Sequence, residues 1–147
     1  MLTGPELLKH LPQQAPFRFV DEVVEADDRH IVCRYTFRPD EDFYRGHFPG
    51  QPVTPGVILL EAMAQSGVGL LAIYLLLQGG GSTNEYRSVF TDAQAEWHNP
   101  VLPGETVTVS GELLTWRNMR IRSKVELRTG DGRLGVSGVL GGMGVRV

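Results

Sequence analysis

A run of almost uninterrupted apolar residues near the middle of the chain most strongly limits the fold that this sequence can adopt. Residues 57–77 read VILLEAMAQSGVGLLAIYLLL, which is long and apolar enough to raise the question of a membrane span. Two polar side chains interrupt the run. Glu61 and Gln65 are four residues apart and therefore share one helical face. We predict a helix that is buried on nearly all sides within a protein core, and not in a bilayer.

The segments on both sides of this helix have the alternating pattern of β-strands. Residues 17–26 and 30–37 precede it, and the acidic turn Asp27-Asp28 between them predicts a hairpin. A short amphipathic helix over residues 3–11 comes first, and four strand-like segments follow the long helix. This order predicts an α+β fold, in which residues 1–147 form one domain and a curved antiparallel sheet wraps around the central helix.

The composition excludes several classes of partner and compartment. With 147 residues, of which 41% are hydrophobic, the chain can bury a core without a metal or a disulfide. The net charge is −3 and the 14 Lys and Arg residues are scattered, which argues against nucleic-acid and membrane partners. The single cysteine, Cys33, alternates with apolar residues and is expected in the core. It fits a reducing compartment, and the N-terminus lacks the features of a signal peptide, so we expect a cytoplasmic protein.

An acidic residue within the apolar run is the first candidate for chemistry. Glu61 has apolar neighbours on both sides, so burial should raise its pKa and make it a general acid near neutral pH. The alternative is a structural Glu that is paired with an Arg or Lys. Gln65, one turn later, is expected either to orient the carboxyl group or to satisfy a backbone group.

A histidine in the preceding loop is the second candidate. His47 is flanked by Gly46, Pro49 and Gly50, residues that allow a close approach of ligand to backbone and that fix the path of a loop. An imidazole is well suited to accept a proton at physiological pH. The other histidines lack such a setting, and we predict that they are structural: His10, His30 and His98.

The start of the long helix offers a third group. We expect Thr54 to cap the helix and Pro55 to occupy its first position, which leaves the N–H of Gly56 free at the positive end of the helix dipole. Such an N–H can polarise a carbonyl oxygen. A base, an acid and this donor together fit abstraction of an α-proton with loss of a β-leaving group. The sequence has no metal-ligand cluster, nucleophile elbow or phosphate-binding loop.

The stretch GHFPGQPVTPGVILLEAMAQ resembles the signature of the 3-hydroxyacyl-(acyl carrier protein) dehydratases of type II fatty acid synthesis. PFRFVDEVVE and FTDAQAEWHNPVLPGETV are similar to two further segments of that family. The resemblance implies a hot-dog fold and a homodimer in which the histidine of one subunit meets the glutamate of its partner. It also implies an acyl chain in a tunnel between them, with the substrate carried on the phosphopantetheine arm of an acyl carrier protein. No bound cofactor or metal is implied.

By matching positions, the resemblance gives a role to each candidate residue. His47 is the base at C2, Glu61 protonates or binds the departing 3-hydroxyl group, and the Gly56 N–H holds the thioester oxygen. Gln65 is added as a supporting residue from its spacing, because it lies one helical turn after Glu61. The product is then a trans-2-enoyl thioester. Whether dimers assemble further, as a trimer of dimers, stays open.

Some positions depart from the family pattern. Thr54 stands where the family usually has Met, Trp97-His98-Asn99 replaces a more basic stretch, and the connector at 79–84 is rich in glycine. These differences leave the acyl pathway open between fatty acid and specialised, polyketide-like synthesis. Two alternative functions also stay open: a hot-dog acyl thioesterase that uses the same acidic residue, and a non-catalytic acyl-binding subunit.

Overall fold

The computed structural model describes residues 2–147, and in it a six-stranded antiparallel sheet curls around one long helix. The predicted α+β architecture and the predicted order of elements are confirmed. The helices are α1 (Gly4–Leu8), α2 (Gly56–Ala64) and α3 (Leu71–Gln78). The strands are β1 (Glu22–Ala26), β2 (His30–Thr36), β3 (Tyr86–Trp97), β4 (Thr106–Arg117), β5 (Arg120–Arg128) and β6 (Leu134–Arg146). Short 3-10 turns span Asp42–Arg45 and Thr83–Glu85.

The long helix is continuous from Gly56 to Gln78, since a π-helical segment, Gln65–Leu70, joins α2 to α3. Its length and composition would allow it to cross a membrane, but 67% of its most apolar window is buried inside the structure. The sheet therefore accounts for the apolarity of the helix.

Two glycines allow the helix to lie directly on the sheet. A Cβ atom at Gly67 would come within 2.6 Å of the Val125 side chain on β5. A Cβ at Gly111 on β4 would come within 2.7 Å of the Gly67 Cα atom. Both distances are too short for a real contact, so the close packing of helix and sheet requires glycine at both positions.

The first helix and strand are shorter than predicted. The helix expected over residues 3–11 ends at Leu8, and the first strand begins at Glu22 and not at residue 17. The backbone of Phe17 and Phe19 does not join the sheet, because both residues hydrogen-bond to the side chain of Gln65 on the long helix. The predicted hairpin of β1 and β2 is confirmed.

The sheet order is β1-β2-β4-β5-β6-β3, so β3 lies at an edge. This strand of 12 residues pairs only with β6 within the described chain and carries exposed apolar side chains, including Val89 and Phe90.

The face of the sheet that packs against the long helix covers the core. Cys33 lies there as expected, 1% exposed, and burial raises the pKa of its thiol to about 12.

Candidate active site

His47 lies in the loop that follows the Asp42–Arg45 turn, where backbone contacts fix its position. Its N–H donates to the Phe43 carbonyl oxygen at 3.0 Å, and its carbonyl oxygen accepts from the Val53 N–H at 3.0 Å. Its ring is half-buried, stacks on Phe48 and places Nδ1 3.0 Å from the Val53 carbonyl oxygen. Because a carbonyl oxygen can only accept, Nδ1 carries the proton. Nε2 of the neutral ring is then free to act as a base.

Glu61 lies on the second turn of the long helix and is half-buried. Burial raises the pKa of its carboxyl group, and a hydrogen bond from Gln65 partly opposes this increase. No Lys or Arg among residues 2–147 forms an ion pair with it, so the alternative of a cation-paired structural Glu is wrong for the described chain. The carboxyl group of Glu61 therefore keeps its proton to a higher pH than a solvent-exposed Glu does.

Gln65 performs both of the roles that the sequence allowed. Its Nε2 donates to Glu61 Oε2 at 3.0 Å and to the Phe17 carbonyl oxygen at 2.7 Å. Its Oε1 accepts from the Phe19 N–H at 2.7 Å. The side chain is 1% exposed and therefore links the catalytic candidate on the helix to the chain segment that precedes β1.

The helix begins at Gly56, but its predicted cap is wrong. Pro55 occupies the cap position, and no side chain caps the helix. The Thr54 hydroxyl group instead lies 2.6 Å from the hydroxyl group of buried Tyr44. The N–H of Gly56 stays without a hydrogen-bond partner within the part of the chain that the structure describes. It remains available at the positive end of the helix.

Trp97 packs against this helix start, a contact that the sequence patterns did not indicate. Its Nε1 donates to the Gly56 carbonyl oxygen at 3.1 Å. A Cβ atom at Gly56 would lie 3.0 Å from the same nitrogen, which is tighter than an ordinary contact. The indole therefore favours glycine at position 56.

Glu61 borders an open cavity between the long helix and the edge strand β3. Gln65 also lines this cavity, whereas His47 and Gly56 do not. The single chain thus brings Glu61 and Gln65 together at this cavity but leaves His47 and the Gly56 N–H outside it. Gln13 lines it as well, and its Oε1 is buried with no hydrogen-bond partner among residues 2–147. Gln13 lies in a short loop after α1, and no sequence pattern there indicated that it would line this cavity.

Several exposed apolar side chains lie on the elements that carry the candidate site. They come from the His47 loop, the helix start, the edge strand and the segment after it: Phe48, Val57, Val89, Phe90, Trp97 and Leu102. We call this set the apolar surface. Large exposed apolar patches mark interaction sites more often than free surface.

Solved structures with low sequence identity share this fold. The dehydratase heterocomplex ApeI:P from Xenorhabdus doucetiae matches with a TM-score of 0.77 and 18% identity, covering 97% of this chain and 91% of that one. The thioesterase HI1161 from Haemophilus influenzae matches with a TM-score of 0.68 and 14% identity, covering 99% and 92%. The sheet and helix therefore define a hot-dog protein.

Sequence comparison identifies the family. A FabA-like domain model matches residues 11–139. The 3-hydroxyacyl-[acyl-carrier-protein] dehydratase FabZ of Thermus thermophilus is 40% identical over 125 residues, covering 82% of this chain and 85% of the relative. FabZ of Ruminiclostridium cellulolyticum is 32% identical over 140 residues, covering 94% of both. The chain belongs to the FabA-like family of 3-hydroxyacyl-[acyl-carrier-protein] dehydratases and is an enzyme of the hydro-lyase class.

Proposed function

We propose that this protein removes water from a (3R)-hydroxyacyl thioester on an acyl carrier protein and forms the trans-2-enoyl thioester, in fatty acid or related acyl synthesis. The observation that carries the proposal is Glu61, a carboxyl group that is half-buried, held by Gln65 and unpaired with any described cation. Such a group can deliver a proton to a departing hydroxyl group. Membership of the dehydratase family supports the same reaction.

Each site residue has one step in this mechanism. The thioester oxygen accepts a hydrogen bond from the Gly56 N–H, which stabilises the negative charge that develops when C2 loses its proton. His47 Nε2 takes that proton. The bond between C3 and oxygen breaks, and Glu61 donates its proton so that the hydroxyl group leaves as water. The electron pair from the C2–H bond becomes the double bond. Proton exchange with solvent then restores neutral His47 and protonated Glu61.

The site requires a second copy of the chain in this proposal. His47 does not line the Glu61 cavity of its own subunit. The apolar surface and the free edge of β3 provide a contact area beside both groups, and a two-fold dimer is the commonest way to cover such an area. We propose a homodimer in which His47 of one subunit faces Glu61 of the partner subunit.

The domain organisation, the carrier of the substrate and the cellular location that we propose follow from the same dehydratase function. Residues 1–147 act as one hot-dog domain, and the substrate arrives on the phosphopantetheine arm of the carrier protein. None of the steps above uses a cofactor or a metal. A cytoplasmic location fits the single buried thiol, Cys33.

Mass spectrometry of a 3-hydroxyacyl carrier protein tests the reaction, because dehydration lowers the mass of the acyl group by one water. We expect Glu61→Gln and His47→Asn each to reduce kcat by roughly 10²–10⁴-fold. Both substitutions keep the size of the side chain close to the original. Asn also offers a donor for the Val53 carbonyl oxygen that His47 contacts.

Three results would contradict the proposal. Unchanged turnover in either variant would remove that residue from the mechanism. Release of a free carrier-protein thiol would instead indicate a thioesterase. Binding of the acyl carrier protein without any change in mass would indicate a non-catalytic acyl-binding subunit.

A further inference from the structure

A buried pair of hydroxyl groups lies beside the loop that carries His47. The Tyr44 hydroxyl oxygen is 2.6 Å from the Thr54 hydroxyl oxygen, and the two residues are only 5% and 4% exposed. Burial raises the pKa of Tyr44, so its hydroxyl group stays neutral and keeps a proton for this hydrogen bond. Neither side chain takes part in the reaction steps proposed above, although both are close in the chain to residues that hold His47.

Thr54 shares a peptide unit with the carbonyl group that holds the His47 ring. On one side of this unit, the Val53 carbonyl oxygen lies 3.0 Å from His47 Nδ1. On the other side, the Thr54 N–H donates to the Val101 carbonyl oxygen at 2.9 Å. A peptide unit is planar and rigid, so its N–H and C=O groups can only turn together. A contact that fixes Thr54 therefore also fixes the direction of the Val53 carbonyl group.

Tyr44 supplies such a contact from the turn that also holds the backbone of His47. It lies within the Asp42–Arg45 turn, where the Phe43 carbonyl oxygen accepts from the His47 N–H at 3.0 Å. The turn thus holds the His47 backbone directly, and through Thr54 it holds the carbonyl group that the ring contacts. Without the Tyr44 hydroxyl group, this peptide unit would lose one of the contacts that oppose its rotation.

We propose that Tyr44 and Thr54 are positioning residues, which hold the Val53 carbonyl group where it keeps the proton of His47 on Nδ1. The inference rests on the proposed function, because only this form of the neutral ring leaves Nε2 free to take the proton from C2. The hydrogen bond of one ring nitrogen selects the tautomer of a histidine. If the carbonyl group turns away, some of the rings should carry the proton on Nε2 and be unable to act as a base there.

Nitrogen NMR of the histidine rings tests the tautomer without any turnover. The four histidines are labelled with nitrogen-15, and His47→Asn identifies the signals of His47. Spectra are recorded at about pH 8.5, above the ordinary pKa of histidine. We expect the Nδ1–H form in the wild type. Tyr44→Phe and Thr54→Val each delete one hydroxyl group of the pair with little change of shape.

Each of these two variants should lower the ratio of the Nδ1–H form to the Nε2–H form by about fivefold, the effect of one neutral hydrogen bond. The value of kcat should fall in proportion to the fraction of rings in the Nδ1–H form. KM should stay unchanged, because neither side chain contacts the substrate in the proposed mechanism.

Thr54→Ser and Tyr74→Phe are the matched controls. Serine keeps the hydroxyl group at position 54. Tyr74→Phe deletes another buried tyrosine hydroxyl group, one that accepts from Gln78 Nε2 at 2.8 Å near the end of the long helix. Both variants should leave the His47 tautomer as it is in the wild type. The double variant Tyr44→Phe/Thr54→Val loses the same single interaction and should shift the ratio no further than either single variant does.

A wild-type His47 in the Nε2–H form, or single variants with the wild-type ratio, would overturn the inference. A double variant whose loss equals the product of the two single losses would also overturn it, because Tyr44 and Thr54 would then act independently. If the wild-type protein dehydrates no substrate but the tautomer still follows these variants, the proposed function fails and the positioning role stands. If it does dehydrate its substrate and all variants keep the wild-type tautomer, the positioning role fails and the proposed function stands.

Discussion

Mixing two inactive variants should restore activity if the site is shared between subunits. His47→Asn removes the proposed base, and Glu61→Gln removes the proposed acid. In a mixed dimer with the proposed arrangement, one site contains both substitutions and the other contains neither. If both residues came from the same chain, each site would carry one defect and no activity would return. The single-chain geometry favours the first outcome, because His47 lies outside the Glu61 cavity.

The expected recovery follows from the symmetry of a two-fold dimer. Equal mixing of the two variants makes about half of all dimers mixed, and each mixed dimer has one intact site of two, so about a quarter of the wild-type rate should return. Subunits are exchanged by co-expression with two different tags, and native mass spectrometry measures the mixed fraction. The mass-based dehydration assay then gives the rate per mixed dimer.

A second mixture serves as the control for this experiment. His47→Asn combined with a chain that carries both substitutions contains no intact histidine, so it should stay inactive at the same mixed fraction. If the complementary mixture is no more active than its parents while mixed dimers are present, the shared site is refuted. Both groups would then have to act from one chain.

The remaining predictions concern protonation, the unpaired amide and the packing of helix on sheet. Burial raises the pKa of Glu61, so the folded state holds this proton more tightly than the unfolded state. The free energy of unfolding should therefore fall as the pH rises from the pKa of Glu in the unfolded chain through the raised pKa of the folded state. The value of kcat should fall over the same pH range. Glu61→Gln should remove this stability loss in urea titrations at several pH values. Gln13→Met deletes the buried, unpaired oxygen that borders the same cavity as Glu61. Because a hydrogen-bond acceptor at this place favours the protonated form of Glu61, we expect the alkaline limb of the kcat–pH profile to move to lower pH in this variant. An unchanged limb would exclude contact between the Gln13 oxygen and the Glu61 proton. Gly67→Ala places a Cβ atom 2.6 Å from the Val125 side chain and should lower the free energy of unfolding by about 1–3 kcal/mol. Urea unfolding measures this loss. The control is Gly46→Ala, because a Cβ atom at Gly46 meets nothing within 4 Å.

Local periodicity explains how much of this molecule could be predicted from its sequence. The long apolar run and the alternating segments after it determined the helix and the order of strands, because both signals come from neighbouring residues. The prediction of strand from residue 17 was wrong for a physical reason: the backbone of Phe17 and Phe19 bonds to Gln65, which lies more than forty residues later.

Contacts between residues that are distant in sequence also explain the wrong predictions at the candidate site. Thr54 looked like a cap, but Tyr44 competes for its hydroxyl group through a contact that no local pattern indicates. Trp97 and Gln13 reach the site from distant parts of the chain. By contrast, Glu61 and Gln65 are one helical turn apart, so their contact followed from spacing alone.

The hydrogen bonds of Gln65 also favour one oxygen of Glu61 as the position of the proton when its carboxyl group is neutral. The Phe19 N–H can only donate, so the amide oxygen of Gln65 must face it. The amide nitrogen must then face the Phe17 carbonyl oxygen and Glu61 Oε2, which leaves no ambiguity in the orientation of the amide. Oε2 accepts from this nitrogen, and the carbonyl oxygen of a neutral carboxyl group is its better acceptor, so this bond favours the proton on Oε1. The same Gln65 bond can persist after that proton leaves, so Glu61 can change its charge without losing its position.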